Sequence, residues 1–342
     1  MRKNYLIIGL LCSFLGFSQF NSSAPWMTEN INAKRGEATI QEISAAFDAY
    51  WETRDRTVRG SGHNPFKRWE YHWSNKINEQ GNLISPEELW AAWNQKNQDR
   101  VNRNSTLSAV SNWEPLGPFN HINSGSWSSG QGRVNVIVVD PNNANTLYLG
   151  APAGGIWKST DAGINWTPLS DYLPQIGVSG IAVDHTNSNI IYIATGDKDA
   201  SDSYSVGVLK SLDGGITWNT TGLTFTNTST LASEIFMHPS NPDILWVATS
   251  VGLYKTTDAG VTWVQKLGGN VKDIKLKPGN PDFIYAVTPN RFYRSTNGGD
   301  NFTQISSGMP TNSGRLIIDV TPANPEYVYV LSARTNWSHQ GL

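Results

Sequence analysis

Charge is scarce in this chain and cysteine nearly absent. Only 16% of its 342 residues are charged, and 26 Lys and Arg against 28 Asp and Glu leave a net charge of −2. So even a balance excludes an electrostatic grip on nucleic acid or on an anionic membrane. The single cysteine, Cys12, lies in an N-terminal apolar stretch, so the rest of the chain has no disulfide and no cysteine metal site. The six histidines (63, 72, 121, 185, 238 and 339) lack metal-ligand spacing, and His185 and His238 read as turn residues. Gly154-Gly155 has no following helix, so it is not a phosphate cradle, and no nucleophile elbow is present. The apolar run 6–17 is too short to span a bilayer comfortably. With Arg2 and Lys3 before it and Gly16-Phe17-Ser18 after it, residues 1–18 read as a secretory signal, which predicts a secreted or cell-surface protein with no membrane span. A lipoprotein signal acylated at Cys12 is the alternative, opposed by bulky Leu11.

What is abundant is repetition. Ser159-x-Asp161-x-Gly163-x-Asn165-Trp166 returns as Ser211-x-Asp213-x-Gly215-x-Thr217-Trp218 and Thr256-x-Asp258-x-Gly260-x-Thr262-Trp263. A worn copy reads Ser295-x-Asn297-x-Gly299-x-Asn301-Phe302. Successive Asp or Asn positions lie 52, 45 and 39 residues apart, the spacing of a repeat array. Each signature fits a hairpin turn. Asp or Asn oxygens accept nearby backbone N–H groups, Gly supplies positive φ, and the terminal aromatic ring is expected to bury between neighbouring sheets.

Two apolar runs precede each signature, for instance 271–276 and 283–287, separated by Pro278-Gly279-Asn280-Pro281. A third strand leads into the signature and a fourth follows it. Four short antiparallel strands per unit predict an all-β fold, a β-propeller of four-stranded blades, about four complete and one partial. The Ser-x-Asp-x-Gly-x-Thr-Trp element resembles the Asp-box of sialidase-type (BNR) and sortilin-type propellers and of propeller glycoside hydrolases such as xyloglucanases. The resemblance spans about residues 128–342. It implies that Asp161, Gly163, Trp166, Asp213, Gly215, Trp218, Asp258, Gly260, Trp263, Asn297, Gly299 and Phe302 are structural, on the face opposite the ligand.

The expected organisation is signal 1–18, extended linker 19–37, helical segment 38–104 and propeller 112–342. Thr39-Ile40-Gln41-Glu42 is a capping box, a second helix fits 66–77, and Ser85-Pro86-Glu87-Glu88 opens a third carrying Trp90 and Trp93. These aromatic stripes read as core or as a glycan-stacking platform. Arg54, Arg56, Arg59, Lys67 and Arg68 form a modest basic cluster, read as a solvated face or an anion patch. Residues 315–320 and 326–331 begin a fifth unit, so the array is expected to be incomplete at Leu342. Residues 112–118, where Trp113-Glu114-Pro115-Leu116 mimics Trp166-Thr167-Pro168-Leu169, are the expected closing clasp.

Strand parity places second-to-third turns and blade links on one face, the usual ligand face. Blade two carries nine extra residues there, including Asp197, Asp199, Asp202 and Tyr204. A long loop in a terse repeat is a functional candidate. Its carboxylates fit a Ca²⁺ site, without the Gly and distal Glu of an EF-hand, or general acid and base in glycoside hydrolysis, or plain turn caps. Arg133, Arg291 and Arg315 are expected on the same face, either as structural residues bonding carbonyls of adjacent blades or as the ligand clamp that the resemblance implies; Arg133-Val134-Asn135 departs from the Arg-Ile-Pro of sialidases. Three readings follow: a secreted module binding a glycan or a protein, a glycoside hydrolase using the 197–202 loop, and an assembly factor docking proteins. No cofactor is expected. Fold alone does not separate them.

Overall fold

A computed structural model describes residues 24–27, 38–58, 62–102, 132–174, 177–199, 203–227, 229–335 and 339–341. The expected signal 1–18, the clasp 112–118 and Asp202 lie outside the described residues. The chain divides into two compact units, 1–84 and 85–342.

In the first unit, α1 (Ile40–Trp51) starts at the expected capping box: Glu42 N–H donates to Thr39 Oγ1 (3.2 Å) and Thr39 N–H to Glu42 Oε2 (2.9 Å). The second helix, α2 (His63–Trp73), begins three residues earlier than expected because Gly62, at φ 85°, opens it. It also ends earlier. A turn at Asn78–Gly81, with Gly81 at φ 81°, folds Ile77 back into a bridge with Leu83. Part of the expected linker is not extended: Ala24 and Met27 close a turn and are fully buried against these helices. Phe47 stacks on Phe66 at 3.7 Å, so the aromatic stripes of α1 and α2 are core.

The second unit begins with α3 (Pro86–Asn102), capped reciprocally by Ser85 and Glu88 (3.1 and 2.7 Å). This helix therefore sides with the strands rather than closing a helical segment at 104. Blade one comprises β1 (Val136–Asp140), β2 (Asn143–Ala151), β3 (Gly155–Ser159) and β4 (Thr167–Pro168). Blade two comprises β5 (Val178–Val183), β6 (Ile191–Thr195), β7 (Gly207–Ser211) and β8 (Asn219–Thr224). Blade three comprises β9 (Ala232–His238), β10 (Asn241–Thr249), β11 (Gly252–Thr256) and β12 (Val264–Gly268). Blade four comprises β13 (Asp273–Leu276), β14 (Ile284–Val287), β15 (Phe292–Ser295) and β16 (Thr303–Ile305). A fifth sheet has β17 (Ser313–Val320), β18 (Val328–Arg334) and β19 (His339–Gly341). Each sheet is an antiparallel meander in sequence order, and the first strands β1, β5, β9, β13 and β17 adjoin in succession. This is the β-propeller arrangement. Sandwiched between neighbours, β5 and β6 are buried on both faces, whereas β1 leaves Ile137 and Val139 exposed.

The four signatures form one repeated turn. In the first, Ser159 Oγ donates to Asp161 Oδ1 (2.8 Å) and accepts Gly163 N–H (2.8 Å), while Asp161 Oδ1 accepts Asn165 N–H (2.9 Å). The same bonds recur at 211–217, 256–262 and 295–301. Positive φ falls on two residues, not on the signature glycine alone: Ala162, Gly214, Ala259 and Gly298 precede Gly163, Gly215, Gly260 and Gly299 in that region. The first of each pair donates its N–H to the second-strand turn of its own blade, as Ala259 does to Asp243 O (2.9 Å). Of the terminal aromatic residues only Trp218 is fully buried, donating to Leu169 O of blade one (3.2 Å); Trp166, Trp263 and Phe302 are half-buried.

Adjacent blades are clamped at these turns. Tyr192 Oη and Lys210 Nζ of blade two both donate to Ala259 O of blade three (3.0 and 3.1 Å). Trp246 Nε1 of blade three donates to Gly298 O of blade four (3.2 Å). The cation lies over the ring in each clamp, Lys210 at 5.0 Å from Tyr192 and Lys255 at 5.8 Å from Trp246.

Candidate functional site

The extra length in blade two folds onto the face opposite the signature turns. After β6, Gly196 takes φ 103° and Lys198 N–H donates to Ser179 Oγ (3.1 Å), turning Asp197 inward. Asp197 is fully buried, and Arg133 from the approach to β1 meets its Oδ2 at 2.6 Å. Arg315 in β17 meets Asp199 Oδ1 at 2.5 Å, with Arg133 4.0 Å from the same carboxylate. Burial works against an ionised Asp199, but the Arg315 guanidinium outweighs it and holds the carboxyl below its ordinary range.

Two inner strands extend the cluster. Glu234 of β9 and Asp273 of β13 are bridged by Lys275 (2.9 and 2.5 Å). Ile274 N–H donates to Glu234 (3.0 Å) and Ile318 N–H to Asp273 (2.9 Å), so each carboxylate stitches its blade to the next. Burial, and then the Asp273 charge, push Glu234 up to about 8. Asp273 goes the other way: Glu234 and Lys275 overcome its burial and hold it down. A cavity of about 260 Å³ opens beside the pair, with Lys198, Lys272 and Arg315 on its wall. Burial, then the Arg315 charge, lower the Lys272 ammonium, which has no anionic partner among the described residues. Arg315 Nε is buried there without an acceptor.

Of the expected site residues, Arg133, Asp197, Asp199 and Arg315 converge. Arg291 does not: its side chain is exposed in the turn after β14, and only its carbonyl bonds, to Thr288 N–H (3.0 Å). Tyr204 is half-buried, and burial raises its phenol. The expected Ca²⁺ ligands Asp197 and Asp199 are instead paired to guanidinium groups, and no three His, Cys, Asp or Glu side chains gather as a metal site among the described residues.

Beside a solved ancestral GH74 enzyme, 68% of this chain superposes on 33% of that one, with a TM-score of 0.51 and 22% identity. The shared fold is that of a β-propeller. In sequence, this chain is 27% identical over 148 residues to a Paenibacillus xyloglucanase, covering 40% of this chain and 14% of that protein. It is 30% identical over 140 residues to a xyloglucanase of Acetivibrio thermocellus, covering 37% of this chain and 17% of that one. The chain thus spans less than a fifth of the length of these curated relatives. No protein-family model matches.

Glu234, Lys272, Asp273 and Lys275 are missed by sequence reasoning. Their signal was a charge set inside the innermost apolar run of a blade, as in Glu234-Ile235-Phe236-Met237 and Asp273-Ile274-Lys275-Leu276. Chemically, the face offers unused donors from Lys272 and Arg315 beside fixed carboxylate acceptors, a mixture suited to polar ligands.

Proposed function

We propose that this chain is an extracellular, Asp-box-type propeller that binds a glycan on the face where Arg133, Asp197, Asp199, Glu234, Asp273 and Arg315 converge. The observation that carries the reading is one polar cavity with free donors, lined by blades two to five, whose Arg315 is tied through Asp199 to Arg133 of blade one. Sugar hydroxyls and carboxylates are acceptors that Lys272 Nζ and Arg315 Nε can use. At about 260 Å³ the cavity is smaller than the ~300–1,000 Å³ of drug-sized pockets, so it holds one unit or substituent of a longer chain. The partial likeness to xyloglucanases and the signal-like residues 1–18 support an extracellular glycan over a protein partner.

Hydrolysis is the second reading, favoured by the same likeness. The residues on this face weigh against it. A general acid needs a raised pKa, but Asp199 is held low, and Asp197 is enclosed in an ion pair. Glu234 has the raised value, yet it and Asp273 are both tied to the Lys275 ammonium, at 2.9 and 2.5 Å, rather than standing on either side of a scissile bond.

The test incubates the secreted protein with plant, algal and mucin glycans and scores retention and new reducing ends. Retention without turnover, lost in Lys272→Ala, supports binding. Turnover abolished by Asp199→Asn establishes the hydrolase instead, and retention of proteins alone refutes both.

A further inference from the structure

A second groove, sharing no lining residue with this cluster, lies between α3 and the outer part of blade two. It has about 1150 Å³ and is walled by Trp90, Trp93, Asn94 and Asn97 of α3, facing Tyr172 and the outer-strand residue Asn219. On α3 the positions 90, 93, 94 and 97 follow helical spacing, so one face presents two indoles and then two amides. The indoles anchor the helix but are not consumed by it. Trp93 Nε1 donates to Tyr172 O (2.7 Å) and both rings pack on the blade-one and blade-two core, yet both stay only partly buried, 5.2 Å apart. Tyr172 is itself 45% exposed, with its hydroxyl fixed on Ile216 O. Packing alone does not need Asn94, Asn97 and Asn219 along the rim. None of the groove's lining residues among the described ones is charged, although the chain carries 54 charged side chains.

We propose that this groove binds a neutral oligosaccharide, independently of the charged face. Sugar rings have apolar C–H faces that lie on indole and phenol rings and hydroxyl edges that exchange bonds with amides. An uncharged wall gives an acidic glycan or peptide nothing to pair with, and its volume of about 1150 Å³ suits several linked units. The inference goes beyond the function proposed above and stands if that one fails.

Titration of the full chain with cellohexaose, read by tryptophan emission and by calorimetry, tests it. The expected result is a saturable change that weakens roughly tenfold in Trp90→Ala and in the surface variant Asn94→Ala/Asn97→Ala. Arg291→Ala, exposed and outside both sites, leaves it unchanged, and polygalacturonate produces no response at the groove. Absence of saturation with cellohexaose, or equal affinity in wild type and Asn94→Ala/Asn97→Ala, overturns the proposal. So does resistance of Trp90 to N-bromosuccinimide in the sugar-free protein, since another segment or partner then already fills the groove.

Discussion

Gly298 and Gly299 both sit at positive φ, +65° and +78°, yet alanine should be tolerated at one and not at the other. At the position of Gly298 the chain already uses alanine twice, in Ala162 (φ 58°) and Ala259 (φ 55°). A Cβ there meets only the flexible end of Lys255 at 3.6 Å and Asp282 at 3.8 Å. Gly298→Ala should therefore change stability by no more than about 1 kcal/mol. At Gly299 a Cβ would stand 2.6 Å from Trp246 Nε1 and 3.0 Å from Ile284 Cδ1. Trp246 cannot retreat: it is 1% exposed and its Nε1 is bonded to Gly298 O. Backbone strain of about 1–3 kcal/mol and overpacking of similar size put Gly299→Ala at roughly 2–4 kcal/mol. Urea denaturation followed by far-UV circular dichroism measures both, with the loss concentrated in the part of the transition that reports blades three and four. Equal destabilisation by the two substitutions would refute the clamp between Trp246 and the next turn.

Tyr192→Phe removes one bond to Ala259 O and should cost about 1 kcal/mol in the same assay, with Lys210 retaining the carbonyl. Arg133→Ala removes the guanidinium paired with the enclosed Asp197 carboxylate; because Arg133 is 38% exposed the expected loss is about 2–3 kcal/mol, and Asp197→Asn in that background should restore part of it. Glu234 holds its proton in the folded state to higher pH than in the unfolded chain. Its contribution is complete below the ordinary glutamate range and is lost as pH rises toward 8, so the melting temperature of wild type relative to Glu234→Gln should fall across that window. A constant difference from acid to alkaline pH would contradict the assignment.

How far the sequence was legible depended on the range of the interaction. The signature turn is closed by bonds spanning two to four residues, such as Asp258 to Thr262, so its residue types report its geometry directly. The capping boxes at Thr39 and Ser85 are equally local. The clamps are not: Tyr192 reaches Ala259 across 67 positions, and only the closed array brings them together. Arg133 and Arg315 could be put on the correct face by strand parity, but their shared attachment to one short acidic loop follows from the radial order of the blades. Arg291 has the same parity and misses the cluster because its short turn leaves it on the rim. Trp90 and Trp93 read as core by spacing, and they do pack on a core, that of the blades rather than that of α1 and α2.

Hydrogen–deuterium exchange of the secreted protein with its best-retained glycan tests the proposed ligand face most directly. Protection is expected at 197–199, 272–275 and 313–318, the backbone around the charged cavity, and should vanish in Lys272→Ala. Protection confined to the signature turns at 159–166, 211–218, 256–263 and 295–302 would place the ligand on the opposite face and contradict the account.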